Sequence, residues 1–102
     1  MLRGLELYGG RLIAYSLGNF ATHYGISIKG RAGVTAILEV TLGPDGAFAG
    51  GKLHAAVQRR PHGPAVDPAG QAVAIIDALA REDFGAAAPR IDRDGTLRAR
   101  SE

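Results

Sequence analysis

The chain has 102 residues, no cysteine, and 12 basic against 10 acidic residues, which gives a formal net charge of +2. This length accommodates one domain at most, and the lack of cysteine excludes a disulfide framework and thiolate metal sites. The basic residues are scattered and are not interleaved with aromatics on one face, so we expect no nucleic-acid partner.

The chain also lacks the signals that direct a protein to a membrane. Its N-terminus has no basic region followed by an apolar one, which argues against a signal peptide. No apolar run approaches the roughly 20 residues that span a bilayer. We therefore expect no membrane span and, by default, a cytoplasmic location.

The first predicted element is a β-hairpin around Gly9-Gly10, because this pair supplies the positive φ angles of a primed two-residue turn. The second strand, Leu12 to Leu17, is apolar on both faces, so we expect it to be covered on both sides. It runs into Gly18-Asn19, which places polar side chains at the lip of a sheet. The loop length predicts these pairs: Leu5 with Ala14, Leu7 with Leu12, and Tyr8 with Arg11.

The second predicted hairpin follows a loop over residues 21 to 32. Val34 to Leu42 alternates in the manner of a half-buried strand, and Gly43-Pro44-Asp45-Gly46 has the composition of a tight turn. Phe48 to Val57 is the predicted returning strand. Its Gly50-Gly51 pair indicates a β-bulge.

The last third of the chain predicts one helix. Residues 59 to 67 contain two prolines and a glycine and are predicted as a loop. Asp67 is the predicted N-cap and Pro68 the first helical residue, and apolar residues then recur at helical spacing until the helix ends near Asp83-Phe84-Gly85. A turn is predicted at residues 92–95, and residues 96–102 are predicted to be a frayed tail.

These elements predict an α+β fold in a single domain, residues 1–102. It has about four mainly antiparallel strands, in two hairpins, followed by one C-terminal helix. Because strands and helices do not alternate along the chain, a doubly wound parallel sheet is not expected.

The chemistry-bearing residues form no complete motif by spacing alone. The three histidines, His23, His54 and His62, have no zinc-type spacing, and His54 is predicted to be an exposed strand residue. Asp92-Arg93-Asp94-Gly95 resembles the start of a calcium loop but lacks the third acidic position and the closing glutamate. No metal site is predicted from these residues.

Residues 2 to 20, LRGLELYGGRLIAYSLGNF, resemble the C-terminal signature of the bacterial capsule-synthesis CapA family, which is also named for poly-γ-glutamate biosynthesis. The match is close over residues 4 to 20, and the later hairpin and helix follow the family's order less specifically. The family is similar in fold to the calcineurin-like metallophosphoesterases, with a two-sheet sandwich and a metal site at the strand ends. It is associated with the cell envelope.

The resemblance also implies what this sequence lacks. In the family, a Gly-His-x-Pro-His motif sits immediately before the step that is Leu2-Arg3-Gly4 here, and the other presumed ligands lie further upstream; none occurs in these 102 residues. A metallophosphoesterase needs metals that activate water and hold the phosphoryl oxygens. The resemblance thus implies a C-terminal segment of a larger CapA-like domain, inactive by itself. A divalent metal is expected only in the full-length family member.

The resemblance makes four residues candidates for positions near a site, and none a catalytic residue. Asn19 is the strongest, since an asparagine at a strand end can present its amide to an oxyanion or a metal-bound water. The other interpretation of Asn19 is a turn residue in left-handed geometry. Arg3 would lie beside the family's histidine motif and pair with an anionic substrate. Ser16 and His23 are weaker candidates.

Two other functions are compatible with the sequence. The first is a non-catalytic interaction module, since strands of a partial sheet leave edges through which two copies, or this chain and an upstream half, could pair. The second is weak binding of an anionic polymer through the arginines.

Overall fold

The computed structural model describes residues 2–18, 20, 33–59 and 63–99. Within these ranges the chain is α+β, as predicted, but it has seven strands where about four were expected. A short 3-10 turn, Gly85–Ala87, follows the helix. The elements are β1 (Leu5–Tyr8), β2 (Arg11–Ala14), β3 (Val34–Leu42), β4 (Phe48–Arg59), β5 (Gly63–Val66), α1 (Gln71–Phe84), β6 (Arg90–Ile91) and β7 (Thr96–Arg98).

The strands form two antiparallel sheets. Strands β1 and β2 make a two-stranded sheet, and the other five form a sheet built around the long strand β4. One edge of β4 pairs with β3, and the other pairs with β7 at its start and with β5 at its end. Between β7 and β5, Leu53 N donates to Gly95 O (2.8 Å) and Asp67 N donates to Ala55 O (3.1 Å), so the central strand is bonded along both edges.

The first hairpin has the predicted register. Tyr8 pairs with Arg11 across the Gly9-Gly10 turn, and the remaining pairs follow to Leu5 and Ala14. Both turn glycines have positive φ angles, 58° and 78°. The ladder continues irregularly toward the open end of the hairpin, where Leu2 and Leu17 form an isolated bridge.

The expectation that the second strand of this hairpin is covered on both sides is wrong. Leu12 packs against the core but is only partly buried, and Ile13 on the other face is also half-buried. Tyr8 on the same face as Ile13 is 71% exposed, and Tyr15 is 51% exposed. The apolar content of this face therefore reflects β-propensity more than burial.

The core lies between the five-stranded sheet and a second layer made of α1 and the first hairpin. Val34, Ala36 and Leu53 share one face of the sheet because they occupy matching register positions. Ile76 from the helix and Leu5 from the hairpin are fully buried against this face. Each such buried side chain contributes about 1.5–3 kcal/mol. The whole cluster comprises Leu2, Leu5, Val34, Ala36, Leu53, Ala72, Val73, Ile76 and Leu97.

A glycine allows the first hairpin to approach the helix. A Cβ added at Gly4 would lie 2.6 Å from the Ala80 Cα and 2.7 Å from its nitrogen, which is closer than real Cβ contacts. Both residues are buried, and Ala80 is itself a small residue on the buried face of α1. Close backbone contact between hairpin and helix therefore requires glycine at position 4.

The second hairpin confirms the predicted strands and turn. Gly46 N donates to Gly43 O (2.9 Å), and the Asp45 carboxylate accepts from Ala47 N (3.1 Å). The bulge, however, lies at Ala49, because Thr41 pairs with Gly50 whereas Leu42 pairs with Phe48. Gly51 has a different role. A Cβ there would collide with the Glu39 carbonyl oxygen on β3.

The structure also corrects the prediction for the end of the chain. Residues 63–66, predicted as a loop, are strand β5. Residues 96–98, predicted as part of a frayed tail, are strand β7, whose Leu97 is 1% exposed. Its pairing with β4 stabilises a segment too short to be detected by periodicity. Residues 100–102 lie outside the described part of the chain.

Helix α1 begins three residues later than predicted. Its N-cap is Gly70 with φ 67°, and Pro68 lies in the preceding turn. The Asp67 carboxylate nevertheless caps this end, since it accepts from Ala69 N and from Gln71 N, both at 3.0 Å. The helix ends at Phe84 with Gly85 as C-cap, as predicted.

Candidate functional site

The open end of the first hairpin brings two of the four candidate residues together through the backbone. Arg3 N donates to Ser16 O at 3.0 Å, next to the Leu2–Leu17 bridge. Arg3 is exposed to solvent. The register of the hairpin, set by its two-residue turn, thus places the start of the chain beside the end of the second strand.

Ser16 stabilises the turn that follows the second strand of the first hairpin. Its Oγ accepts a hydrogen bond from Gly18 N at 3.2 Å, and Gly18 has a φ of 80° that favours glycine. This bond occupies the hydroxyl in a local turn. Ser16 therefore positions the segment that leads to Asn19.

The same segment is anchored to the large sheet. Thr35, which is fully buried, donates from Oγ1 to Leu17 O at 2.8 Å. At the other end of the hairpin, Phe48 N donates to Gly10 O at 2.8 Å. The hairpin is thus fixed at both ends against the β3–β4 pair, which gives its open end a defined position.

The other two candidates, Asn19 and His23, lie outside the described residues. Their proximity to Arg3 and Ser16 stays a prediction. The described residues Leu17 and Gly18 lie beside the first residues of β3.

A groove that sequence reasoning missed lies beside Arg3. Its volume is about 420 Å³, and the stacked rings of Tyr15 and Phe84, with centroids 5.0 Å apart and planes at 16°, belong to its lining. The Tyr15 hydroxyl donates to Glu6 Oε1 at 2.6 Å. The signal in the sequence was an aromatic on the second strand and another in the last turn of the helix. The groove is lined by Arg3, Gly4, Tyr15, Asp83 and Phe84.

The hydrogen bond to Glu6 changes the acidity of Tyr15. It is the main reason that the pKa of Tyr15 is raised; burial and the negative charge of Glu6 add to it. The raised pKa extends to higher pH the range in which the phenol keeps its proton and donates to Glu6. This contact connects the two strands of the hairpin, while the ring connects the hairpin to α1.

The described residues contain no group of three or more histidine, aspartate or glutamate side chains that could hold a metal ion. His54 is an exposed strand residue, as predicted, and its Nε2 lies 2.8 Å from Glu39 Oε1 on the neighbouring strand. Two side chains at an exposed position do not make a metal centre.

The described arginines are dispersed over the surface. Arg81 forms an ion pair with Asp77 at 2.9 Å, and Arg98 pairs with Asp92 at 2.7 Å. The latter pair bridges the turn between β6 and β7. Binding of an anionic polymer stays a prediction that this arrangement does not strengthen.

No family model, curated protein or solved structure matches the chain. In the described ranges, no helix combines the length and the apolar character needed to cross a membrane.

Proposed function

We propose that this chain is the C-terminal part of a CapA-like protein of capsule or poly-γ-glutamate biosynthesis, and that it supplies one wall of a metallophosphoesterase-type site. The proposal is supported by the motif over residues 4 to 20, which resembles the family signature, and by the geometry of the hairpin that the motif forms.

The observation that carries the proposal is the hydrogen bond from Arg3 N to Ser16 O. In the family the histidine motif joins the chain immediately before Leu2. Pairing of Arg3 with Ser16 means that any segment joined there starts next to the strand end that leads to Asn19. Metal ligands carried by such a segment would then lie near Gly18-Asn19, where the second predicted strand ends.

Each candidate residue then has a distinct role. Arg3 would pair with an anionic substrate, and Asn19 would present its amide to an oxyanion or a metal-bound water. Ser16 would hold the turn at Gly18. His23 is one of the two weaker candidates and receives no specific task. Because the described residues provide no ligand set for a divalent metal, no step of hydrolysis is assigned to this chain.

Two experiments test this proposal. The nucleotide sequence before the Met1 codon should contain an in-frame Gly-His-x-Pro-His motif, and its absence from that frame would count against the family assignment. The purified 102-residue chain, assayed with bis(p-nitrophenyl) phosphate and Mn²⁺, should show no metal-dependent turnover. Turnover that EDTA abolishes and that Arg3→Ala reduces would overturn the claim that the chain is inactive alone.

A further inference from the structure

Among the described strands, the five-stranded sheet has three strands with an edge that pairs with no other: β3, β5 and β6. Strand β6 has two residues, and β5 has four, of which one is Pro64. Short strands and prolines are common protections against edge pairing. Strand β3 has nine residues, with neither proline nor lysine among them. It is therefore the edge best suited to pair with another strand.

The register shows which backbone groups β3 presents at this edge. Leu53 N bonds to Gly95 O, on the side of β4 away from β3. The pair Leu38–Leu53 is therefore a non-hydrogen-bonded pair, and the N–H and C=O of Leu38 point outward. The same follows for Val40, two residues further along. Both residues offer a donor and an acceptor to an incoming strand.

The beginning of this edge is already covered. A Cβ added at Gly18 would lie 3.1 Å from the Val34 carbonyl oxygen, and Thr35 bonds to Leu17. Along the later part, no strand in the described ranges pairs with β3 on this side, and the side chains of Val40 and Leu42 are 38% and 56% exposed. A partner strand therefore has access to the stretch from Leu38 to Leu42.

The charge on β3 does not protect the edge. Glu39 is the strand's one charged residue, and its carboxylate lies 2.8 Å from His54 Nε2. Its directly opposite neighbour on β4 is Lys52. The negative charge is thus balanced within the same sheet, and it does not repel a strand that approaches from outside.

We propose that β3 pairs with β3 of a second copy of this chain, antiparallel and centred on Val40. This register places Val40 of one copy opposite Val40 of the other, and Leu38 opposite Leu42. The apolar side chains of the two strands therefore contact each other. Glu39 then lies opposite a threonine, Thr41. Centring on Glu39 would instead place two carboxylates directly opposite each other, which is unfavourable.

The size of this contact sets its expected strength. A ladder of about five residues per copy buries less than the roughly 1,200 Å² of stable specific interfaces. The dimer should therefore be weak and reversible, with a population that rises with protein concentration. This inference does not rest on the proposed CapA-like function, because β3 is outside the motif.

The wild-type chain provides the first test. Sedimentation velocity over increasing protein concentration should show a reversible shift from monomer toward dimer. In hydrogen exchange followed by NMR, the amides of Leu38 and Val40 should be protected only at high concentration, whereas those of Ile37 and Glu39, which bond to β4, should be protected at every concentration. A chain that stays monomeric, or edge amides that exchange at a constant rate, would overturn the proposal.

Two substitutions at the centre locate the contact. Val40→Pro removes an N–H that points outward, so the ladder with β4 is kept while association weakens by about tenfold or more. Val40→Lys places two like charges face to face and should have the same effect, which covers the case in which the proline variant does not fold. The control is Val66→Lys on the 85% exposed Val66 of β5, which should associate like wild type. Unchanged association of a folded Val40 variant would contradict this interface.

Discussion

The two hairpins of this chain differ in what holds them in place. The β3–β4 hairpin carries Val34, Ala36 and Leu53, which are buried in the main core, and its strands have nine and twelve residues. The β1–β2 hairpin has strands of four residues and contributes Leu5 to the same core. It is also held by contacts with α1 and by hydrogen bonds at its two ends. The first hairpin is thus positioned mainly by docking, whereas the second hairpin supplies most of the sheet side of the core.

The largest expected effect comes from the core of the second hairpin. Leu53→Ala removes a side chain that is 1% exposed and should lower the free energy of unfolding by about 2–5 kcal/mol. Urea unfolding would measure the loss, and exchange of amides in both hairpins should accelerate together. The matched control, Val66→Ala, alters an exposed side chain and should stay within about 0.5 kcal/mol of wild type.

The first hairpin should respond differently to Gly4→Ala. The new methyl group meets the Ala80 backbone, which cannot rotate away, so we expect a loss of about 1–3 kcal/mol. Exchange should accelerate in β1 and β2 more than in β3 and β4. Gly43→Ala, where the nearest atom to an added Cβ lies at 3.4 Å and belongs to a side chain, is the control with a smaller expected effect. Equal losses for both variants would show that the hairpin–helix contact is not tight.

Helix α1, which packs against both hairpins, depends on Asp67 for the hydrogen bonds at its N-terminal end. Asp67→Ala removes both carboxylate bonds to the turn before Gln71 and should cost about 0.5–2 kcal/mol. Asp67→Asn keeps one acceptor and should recover part of this loss, as thermal unfolding by circular dichroism can measure. If the asparagine variant were no more stable than the alanine variant, the side-chain cap would not be the cause.

An element could be predicted from the sequence where neighbouring residues determine its structure. The register of the first hairpin and the turn at Gly46 depend on local turn chemistry, which Gly9-Gly10 and Pro44-Asp45 make explicit. Strand β7 pairs with β4 over a long sequence separation, whereas β5 pairs with the nearby end of β4. Both strands are too short for a periodic pattern to reveal them. The start of α1 was misplaced because Asp67 caps from a turn before the helix.

The candidate site shows the same division. The pairing of Arg3 with Ser16 follows from the hairpin register and could be predicted, whereas the Tyr15–Phe84 stack joins residues far apart in the chain and could not. No sequence pattern connects the strand to the helix, so only the folded structure shows that these two rings stack.

The smallest expected effect concerns this last contact and its pH dependence. Because the Tyr15 pKa is raised in the folded chain, the stability contributed by its hydrogen bond to Glu6 is fully present below the ordinary tyrosine pKa of about 10 and is lost as the pH rises through the folded value. Glu6→Gln should lower the titration midpoint of Tyr15 toward its ordinary value, since the negative charge is removed and the hydrogen bond is weakened. The midpoint can be followed by NMR of the ring carbon that bears the hydroxyl, with Tyr15→Phe identifying the signal. A midpoint that stays unchanged in Glu6→Gln would mean that the Tyr15–Glu6 hydrogen bond does not connect the two strands of the first hairpin, whose position would then depend on its packing contacts and on the hydrogen bonds at its two ends.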